Sequence, residues 1–177
     1  MNETLVAPAI EAPTEAETAF EALYRSSRDD LFAYAAGLLR DRSAAEEVTA
    51  QAFERAYRRR ASFDPCRGSR RAWLFGIARN AALDELRRRR RHAELLAEPG
   101  ADPDAGAEPA EAALRRSLIR TAIAELPARD RELVALKYFA GLDNAEIATV
   151  LSISESNAGT RVHRAVTKLR EALDGSI

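Results

Sequence analysis

The sequence predicts an all-α protein made of two small helical domains, and three observations support this fold class. Apolar residues recur every three or four positions through most of the 177-residue chain, and no segment shows the alternation of a strand. A stretch rich in Pro, Gly and acidic residues at 93–113 divides the chain and is typical of a flexible linker. Capping residues near the C-terminus outline two helices joined by a tight turn. We therefore expect a disordered tail (1–14), a first domain (15–92), the acidic linker and a second domain (114–177).

The first domain begins with one or two amphipathic helices that we expect to end near Arg40. Ser43 and Glu46 then have the spacing of a capping box, which predicts a helix through about Arg60. Its apolar positions, including Val48 and Phe53, fall on one side. The other side of this helix carries polar residues: Glu46, Glu47, Gln51 and Glu54.

A strongly basic segment follows, with 13 basic and 4 acidic residues between 53 and 92. Pro65 and Gly68 mark a loop, and a helix is expected from Arg70 to about His92. Arg side chains bind phosphates, and aromatic residues can hold unstacked bases of a single strand. The candidate nucleic-acid contacts are Phe63, Arg67, Trp73, Arg79, Asn80, Arg87 and Arg88. The alternative is that Trp73 belongs to the core and that the Arg run is only a solvated helix end.

Two helices are expected at the start of the second domain. The first covers 114–125 and is stopped by Pro127, and the second covers 128–140 and is closed by Gly141. Together they would provide the scaffold for the segment that follows.

The segment 143–173 has the pattern of a helix-turn-helix. Asp143 and Glu146 form a capping box that predicts a short helix over 144–151, and Ser154 is the expected N-cap of a longer one. The longer helix has an apolar stripe and a polar, basic face formed by Ser156, Asn157, Thr160, Arg161, Arg164 and Lys168. The second helix of such a unit lies in the major groove of DNA. The alternative is an ordinary helical hairpin whose polar face is solvated.

Composition indicates a cytoplasmic protein without catalytic machinery. The single cysteine, Cys66, excludes an internal disulfide, and neither a signal peptide nor a membrane span is apparent. His92 and His163 lie far apart in sequence, with no carboxylate or cysteine at the spacing of metal ligands. No phosphate-binding Gly loop or nucleophile motif is present. We expect no enzyme activity, no metal and no cofactor.

Two sequence motifs resemble a known family. AEEVTAQAFERAYRR with AWLFGIARNAALDELRRRRR is similar to region 2 of the bacterial extracytoplasmic-function sigma factors, and LPARDRELVALKYFAGLDNAEIATVLSISESNAGTRVHRAVTKLRE resembles their region 4. The resemblance implies a subunit that directs core RNA polymerase to promoters, with the β′ clamp helices, the β flap, promoter DNA and an anti-sigma factor as partners.

The resemblance also implies roles for individual residues. It places Glu46, Glu47, Gln51 and Glu54 against the polymerase clamp. It assigns the melted −10 element to Phe63, Arg67, Ser69, Trp73, Arg79, Asn80, Arg87 and Arg88. It assigns the −35 element to Ser156, Asn157, Thr160, Arg161, Arg164 and Lys168. Two departures stand out: Ala50 replaces a usual Gln, and Ser-Asn-Ala-Gly at 156–159 replaces a more usual Gly-Thr-Val-Lys.

Two other functions remain open at this point. A stand-alone helix-turn-helix regulator accounts for the second domain but leaves the polar helix and basic segment of the first domain unexplained. An enzyme such as a recombinase or nuclease with a helix-turn-helix requires a nucleophile or a metal site, and the sequence offers no assembled one.

Overall fold

The computed structural model describes residues 14–95 and 110–175, and within these ranges it confirms the all-α fold class. Seven α-helices occur in the described residues, with two 3₁₀ turns between the second and third. The helices are α1 (Glu15–Leu39), α2 (Arg42–Arg58), α3 (Arg70–Leu95), α4 (Ala110–Glu125), α5 (Ala128–Val134), α6 (Asn144–Leu151) and α7 (Glu155–Asp174). The tail over 1–13 and residues 96–109 of the predicted linker lie outside the described residues. Both ends of the predicted linker are helical, since α3 runs to Leu95 and α4 begins at Ala110.

The first helix of the protein is a single continuous element. Thr14 and Glu17 cap its start reciprocally, and Arg40 ends it in the left-handed conformation (φ 55°). Its buried positions recur along one stripe from Leu23 to Leu39. One long helix therefore spans the first domain, where the sequence pattern allowed one or two.

The start of α2 differs from the prediction. Asp41, not Ser43, is the N-cap, and its carboxylate accepts a hydrogen bond from the backbone N–H of Ala44 at 2.9 Å. The same carboxylate accepts a hydrogen bond from Arg89 at 2.8 Å, which ties α2 to the far end of α3. The predicted capping box at Ser43 is therefore wrong, because Asp41 has both the cap geometry and a partner on another helix.

The core of the first domain lies between α1, α2 and α3. Tyr34 and Phe75 are fully buried and meet edge to face, with ring centroids 5.8 Å apart. Leu74, Ala78 and Ala81 are buried, whereas Trp73, Ile77 and Leu86 are only partly buried. α3 packs against α1, α2 and α6 and so has neighbours in both domains.

The predicted helix over 128–140 is interrupted near its middle. α5 ends at Val134 and continues as a π turn over Ala135–Phe139, in which Ala140 N–H bonds to the carbonyl of Ala135. Gly141 then adopts a left-handed conformation (φ 64°), as expected of a helix-ending glycine. The π turn points Phe139 toward α1, where it meets Gly37.

The helix-turn-helix is confirmed in detail. Asp143 and Glu146 form the predicted capping box at the start of α6, and Ser154 accepts a hydrogen bond from Asn157 N–H at the start of α7. Ser152 makes the turn in the left-handed conformation (φ 54°). A Cβ on Gly159 would lie 3.3 Å from the Asn144 side-chain nitrogen, so the glycine lets the start of α6 approach α7 closely.

Candidate polymerase and nucleic-acid surfaces

The outward face of α2 is acidic and ordered by local pairs. Glu46, Glu47 and Glu54 are exposed, and Gln51 is half-buried. Gln51 donates a hydrogen bond to Glu47 at 3.1 Å, and Glu54 pairs with Arg58 at 2.7 Å. These contacts join residues four positions apart and contribute little to stability at such exposure. The face is therefore available to a basic partner surface.

An aromatic groove, which was not predicted from the sequence, lies beside this acidic face. Tyr24 and Phe53 meet edge to face at 4.7 Å between centroids, and Tyr24 is 39% exposed. The groove has a volume of about 560 Å³ and includes Phe32 and Ala50 in its lining. Because its aromatic residues come from both α1 and α2, periodicity within either helix could not reveal it.

The loop before α3 is ordered by its own side chains. Asp64 accepts a hydrogen bond from Cys66 N–H at 2.9 Å, and the Ser69 hydroxyl accepts one from Ala72 N–H at 3.0 Å. Phe63 packs edge-on against Trp73 with centroids 5.7 Å apart. Trp73 is therefore half-buried: its ring packs against Phe63 of the loop, and the rest of the side chain remains partly accessible to solvent.

The basic residues of α3 divide into two sets. Near the end of the helix, Arg87 pairs with Asp84, and Arg88 pairs with Glu85 at 2.7 Å. The hydrogen bond from Arg88 holds the pKa of the Glu85 carboxyl below its usual value. Nearer the start of α3, the Arg79 side chain extends to the second domain and donates a hydrogen bond to Glu132 of α5 at 2.6 Å.

The polar face of α7 consists of the residues that the sequence pattern placed there, and it faces solvent. All six predicted residues are exposed: Ser156, Asn157, Thr160, Arg161, Arg164 and Lys168. Thr160 donates to the carbonyl of Ser156, and Lys168 pairs with Asp130 at 2.5 Å. The apolar side is held by buried Ala158, Val162 and Ala165, so the polar face is fixed outward.

Two clefts bring the two basic regions together. One, of about 740 Å³, lies between the 62–68 loop with α3 and the end of α6, and includes Phe63, Arg67, Trp73 and Asn80 in its lining. The other, of about 430 Å³, has Arg79 on one wall and Arg161, Arg164 and Lys168 on the other. Arg79 contributes to both clefts, and both domains form their walls.

Comparison with known proteins identifies the family. Residues 23–92 match sigma-70 region 2, and residues 116–169 match sigma-70 region 4. The ECF RNA polymerase sigma factor SigL of Mycobacterium tuberculosis is 35% identical over 154 residues, covering 86% of this chain and 87% of that protein. The chain belongs to the extracytoplasmic-function sigma factors. SigK of Mycobacterium bovis is 27% identical over 167 residues, covering 90% of this chain and 88% of that protein.

Solved structures share the fold of this sigma factor. The sigma factor RpoE of Bartonella quintana, solved with the anti-sigma factor NepR, superposes with a TM-score of 0.74 at 24% identity and covers 89% of this chain and 98% of its own. CnrH, solved with the cytosolic domain of CnrY, gives a TM-score of 0.64 at 25% identity and covers 90% of both chains.

Family membership gives the two domains their general role. Sigma factors bind core RNA polymerase and promoter DNA through regions 2 and 4, and every candidate residue on α2, α3 and α7 falls inside a matched range. In residues 14–95 and 110–175, no group of His, Cys, Asp and Glu side chains is placed to hold a metal ion. No helix within those ranges is long and apolar enough to cross a membrane.

Proposed function

We propose that this sigma factor uses three separate surfaces to start transcription. The acidic face of α2 binds the β′ clamp helices of core polymerase, the loop before α3 with the first half of α3 holds the melted −10 element, and α7 binds the −35 element. Region 4 also meets the β flap. The observation that carries the proposal is the presence of two basic surfaces and one acidic surface, each on a different helix, inside the two sigma regions.

The clamp proposal rests on charge and shape. Glu47, Gln51 and Glu54 lie on one side of α2, while Ala52 and Phe53 on the other side are buried in the core. The neighbouring groove offers the exposed Tyr24 ring to an apolar side chain of the partner, with the buried Phe53 ring packed behind it. Acidic residues around an aromatic centre match the usual anatomy of an interface, with a polar rim around an apolar core.

The −10 proposal rests on the cleft next to Phe63. Asn80 is exposed on its wall, and Arg67 is exposed in the loop above it. A flipped base can stack on an aromatic ring while Arg contacts phosphate and Asn bonds to the base edge. Binding unpaired bases offsets the cost of separating the strands, so this surface favours melting.

The −35 proposal assigns different tasks along α7. Asn157 lies in the first turn, and an Asn side chain can form two hydrogen bonds with adenine in the major groove. Arg164 lies about two turns further on, where it contacts phosphate and sets the register. Gly159 and Ala158 depart from the family pattern, so the preferred −35 sequence has to be measured for this protein.

We also propose that an anti-sigma factor binds this chain, as NepR does with RpoE of Bartonella quintana. Such a partner should prevent the chain from binding core polymerase. A candidate partner is tested by titrating it into purified holoenzyme, and release of the sigma factor is the expected result.

Run-off transcription with purified core polymerase tests the function as a whole. Core enzyme should give specific transcripts only when this protein is added. A stand-alone regulator would instead bind its operator tightly without core polymerase and would not restore initiation to it. The same protein sample serves both measurements, so the two functions are separated in one experiment.

A further inference from the structure

One cation on the polar face of α7 is held by another helix of the same domain. The Lys168 ammonium donates a hydrogen bond to the Asp130 carboxylate of α5, with 2.5 Å between the two atoms. Arg161 and Arg164, on the same face, form no ion pair with any residue in 14–95 or 110–175. Lys168 therefore differs from the two arginines, because its charge is balanced within the protein.

The Asp130 carboxylate has a fixed position at the start of α5. The backbone N–H of Asp130 bonds to the carbonyl of Pro127 at 2.9 Å, and α5 packs against α7. The Asp130 side chain is only 16% exposed, whereas that of Lys168 is 51% exposed. The pair therefore combines a well-held carboxylate with an ammonium that a further partner can reach.

A lysine that is paired in this way can still bind DNA, but it does so differently from a free lysine. An ammonium group has three N–H donors, so Lys168 can donate to Asp130 and to a phosphate at the same time. Lys168 also lies four residues after Arg164, which places both on one side of α7. At longer distances, however, the carboxylate cancels the positive charge that would attract DNA. The pair therefore acts as a short-range hydrogen-bond donor and attracts DNA only weakly from a distance.

We infer that Asp130 is a positioning residue for promoter recognition, which orients Lys168 toward one phosphate of the −35 element and suppresses its attraction to other DNA. This inference rests on the proposed binding of α7 to the −35 element. Holding the long lysine side chain in one orientation removes rotamer freedom in advance, so a phosphate in register is bound with little further loss of entropy. A phosphate out of register gains little, because the charge that would attract it is balanced. Asp130 therefore favours the correct −35 element over other sequences.

Two substitutions and their combination separate this role from a simple change in net charge. Asp130→Asn keeps the side-chain size and removes the negative charge, Lys168→Gln removes the ammonium, and the double variant completes a thermodynamic cycle. Glu125→Gln is the matched control, since it removes one carboxylate from an exposed position of α4 in the same domain. Circular dichroism and urea unfolding establish that each variant is folded.

The measurement uses holoenzyme assembled from core polymerase and each variant. Each holoenzyme is titrated onto two fluorescent promoter duplexes, one with the preferred −35 element from a randomised library and one with that element scrambled. Fluorescence anisotropy gives the association constant at salt concentrations between about 50 and 200 mM. Dividing each constant by that of the wild-type holoenzyme cancels the contribution of core polymerase, which is common to all samples.

The expected result is a loss of selectivity in Asp130→Asn. This variant should bind the scrambled promoter up to about fivefold more tightly than the wild type, within the range of one exposed ion pair, while its affinity for the preferred promoter changes less. The freed lysine displaces one more counterion, so the slope of log K against log salt concentration should become steeper by about 0.9. Neither change should occur in the Lys168→Gln background or in Glu125→Gln.

Two results overturn the inference. One is an unchanged salt slope in Asp130→Asn, and the other is an equal gain in affinity with and without Lys168, which would mean that Asp130 repels phosphate by itself. A wild-type holoenzyme that does not distinguish the two promoters contradicts the proposed −35 function, whether or not the salt slope changes. The failure of the inference and the failure of the proposed function are therefore distinguishable.

Discussion

The cap at the start of α2 gives a direct test of how this helix is positioned. Asp41 accepts a hydrogen bond from Ala44 N–H and pairs with Arg89, whereas the sequence pattern favoured Ser43 as the cap. We predict that Asp41→Ala destabilises the first domain and that Ser43→Ala does not. The comparison matters for function because α2 carries the proposed clamp-binding face.

The magnitude follows from two separate interactions. Replacing an N-cap Asp by Ala costs about 1 kcal/mol. The pair with Arg89 is 35–41% exposed on its two side chains and therefore adds about 0–1 kcal/mol. Asp41→Ala should lower the free energy of unfolding by about 1–2 kcal/mol. Asp41→Asn keeps an acceptor for Ala44 N–H and should lose only the ion pair, while Ser43→Ala at an exposed helical position should stay within about 0.5 kcal/mol of the wild type.

Urea unfolding followed by tryptophan fluorescence measures these differences. Trp73 is the only tryptophan and lies on α3, so its signal reports the first domain. The hydrogen bond from Ala44 N–H lowers the pKa of the Asp41 carboxyl in the folded protein. The stabilisation by ionised Asp41 is therefore complete above the pKa of the unfolded chain, about 3.9, and is lost as the pH falls through the lower pKa of the folded protein. The difference in the free energy of unfolding between the wild type and Asp41→Ala should therefore become smaller as the pH is lowered. If Ser43→Ala lowers the free energy of unfolding as much as Asp41→Ala does, the assignment of Asp41 as the N-cap is refuted.

Three further predictions concern the proposed surfaces. Glu47→Lys combined with Glu54→Lys should weaken binding to core polymerase without loss of helicity, and unchanged co-purification with core would contradict the assigned face. Asn80→Ala should impair open-complex formation on duplex promoters and be partly rescued by a promoter mismatched over the −10 region; equal losses on both templates would indicate a structural role. Asn157→Ala should change the preference at one −35 position by about 1–3 kcal/mol, whereas Arg164→Ala should weaken all −35 sequences alike in a randomised library, and the opposite pattern would reverse the two roles.

The sequence predicted best those features that depend on neighbouring residues. The bounds of α6, the capping box at Asp143 and the N-cap at Ser154 all follow from interactions within a few positions, and all agree with the structure. The exposed faces of α2 and α7 were likewise predictable, because helical periodicity assigns a side to each residue.

Features that depend on distant residues were not predictable in this way. Asp41 is favoured as a cap partly by Arg89, which lies 48 positions away. The aromatic groove needs rings from two helices, and the π turn after Val134 coincides with the place where Phe139 packs on α1. Gly37 carries no signal in one sequence and Gly68 indicated only a loop, because the Phe139 and Thr149 side chains that lie opposite them come from distant parts of the chain.

The partners of Arg79 and Ser69 lie in the second domain, although we propose that both residues contact promoter DNA. Both side chains bond to carboxylates, Glu132 and Glu146, and a carboxylate offers the same kind of charged oxygen acceptor as a phosphate. The Arg79 side chain is 27% exposed, and the Glu132 carboxylate provides the charged partner that a partly buried guanidinium needs. With DNA bound as we propose, one charge-assisted hydrogen bond replaces another, and the net change in free energy is smaller than the strength of either bond.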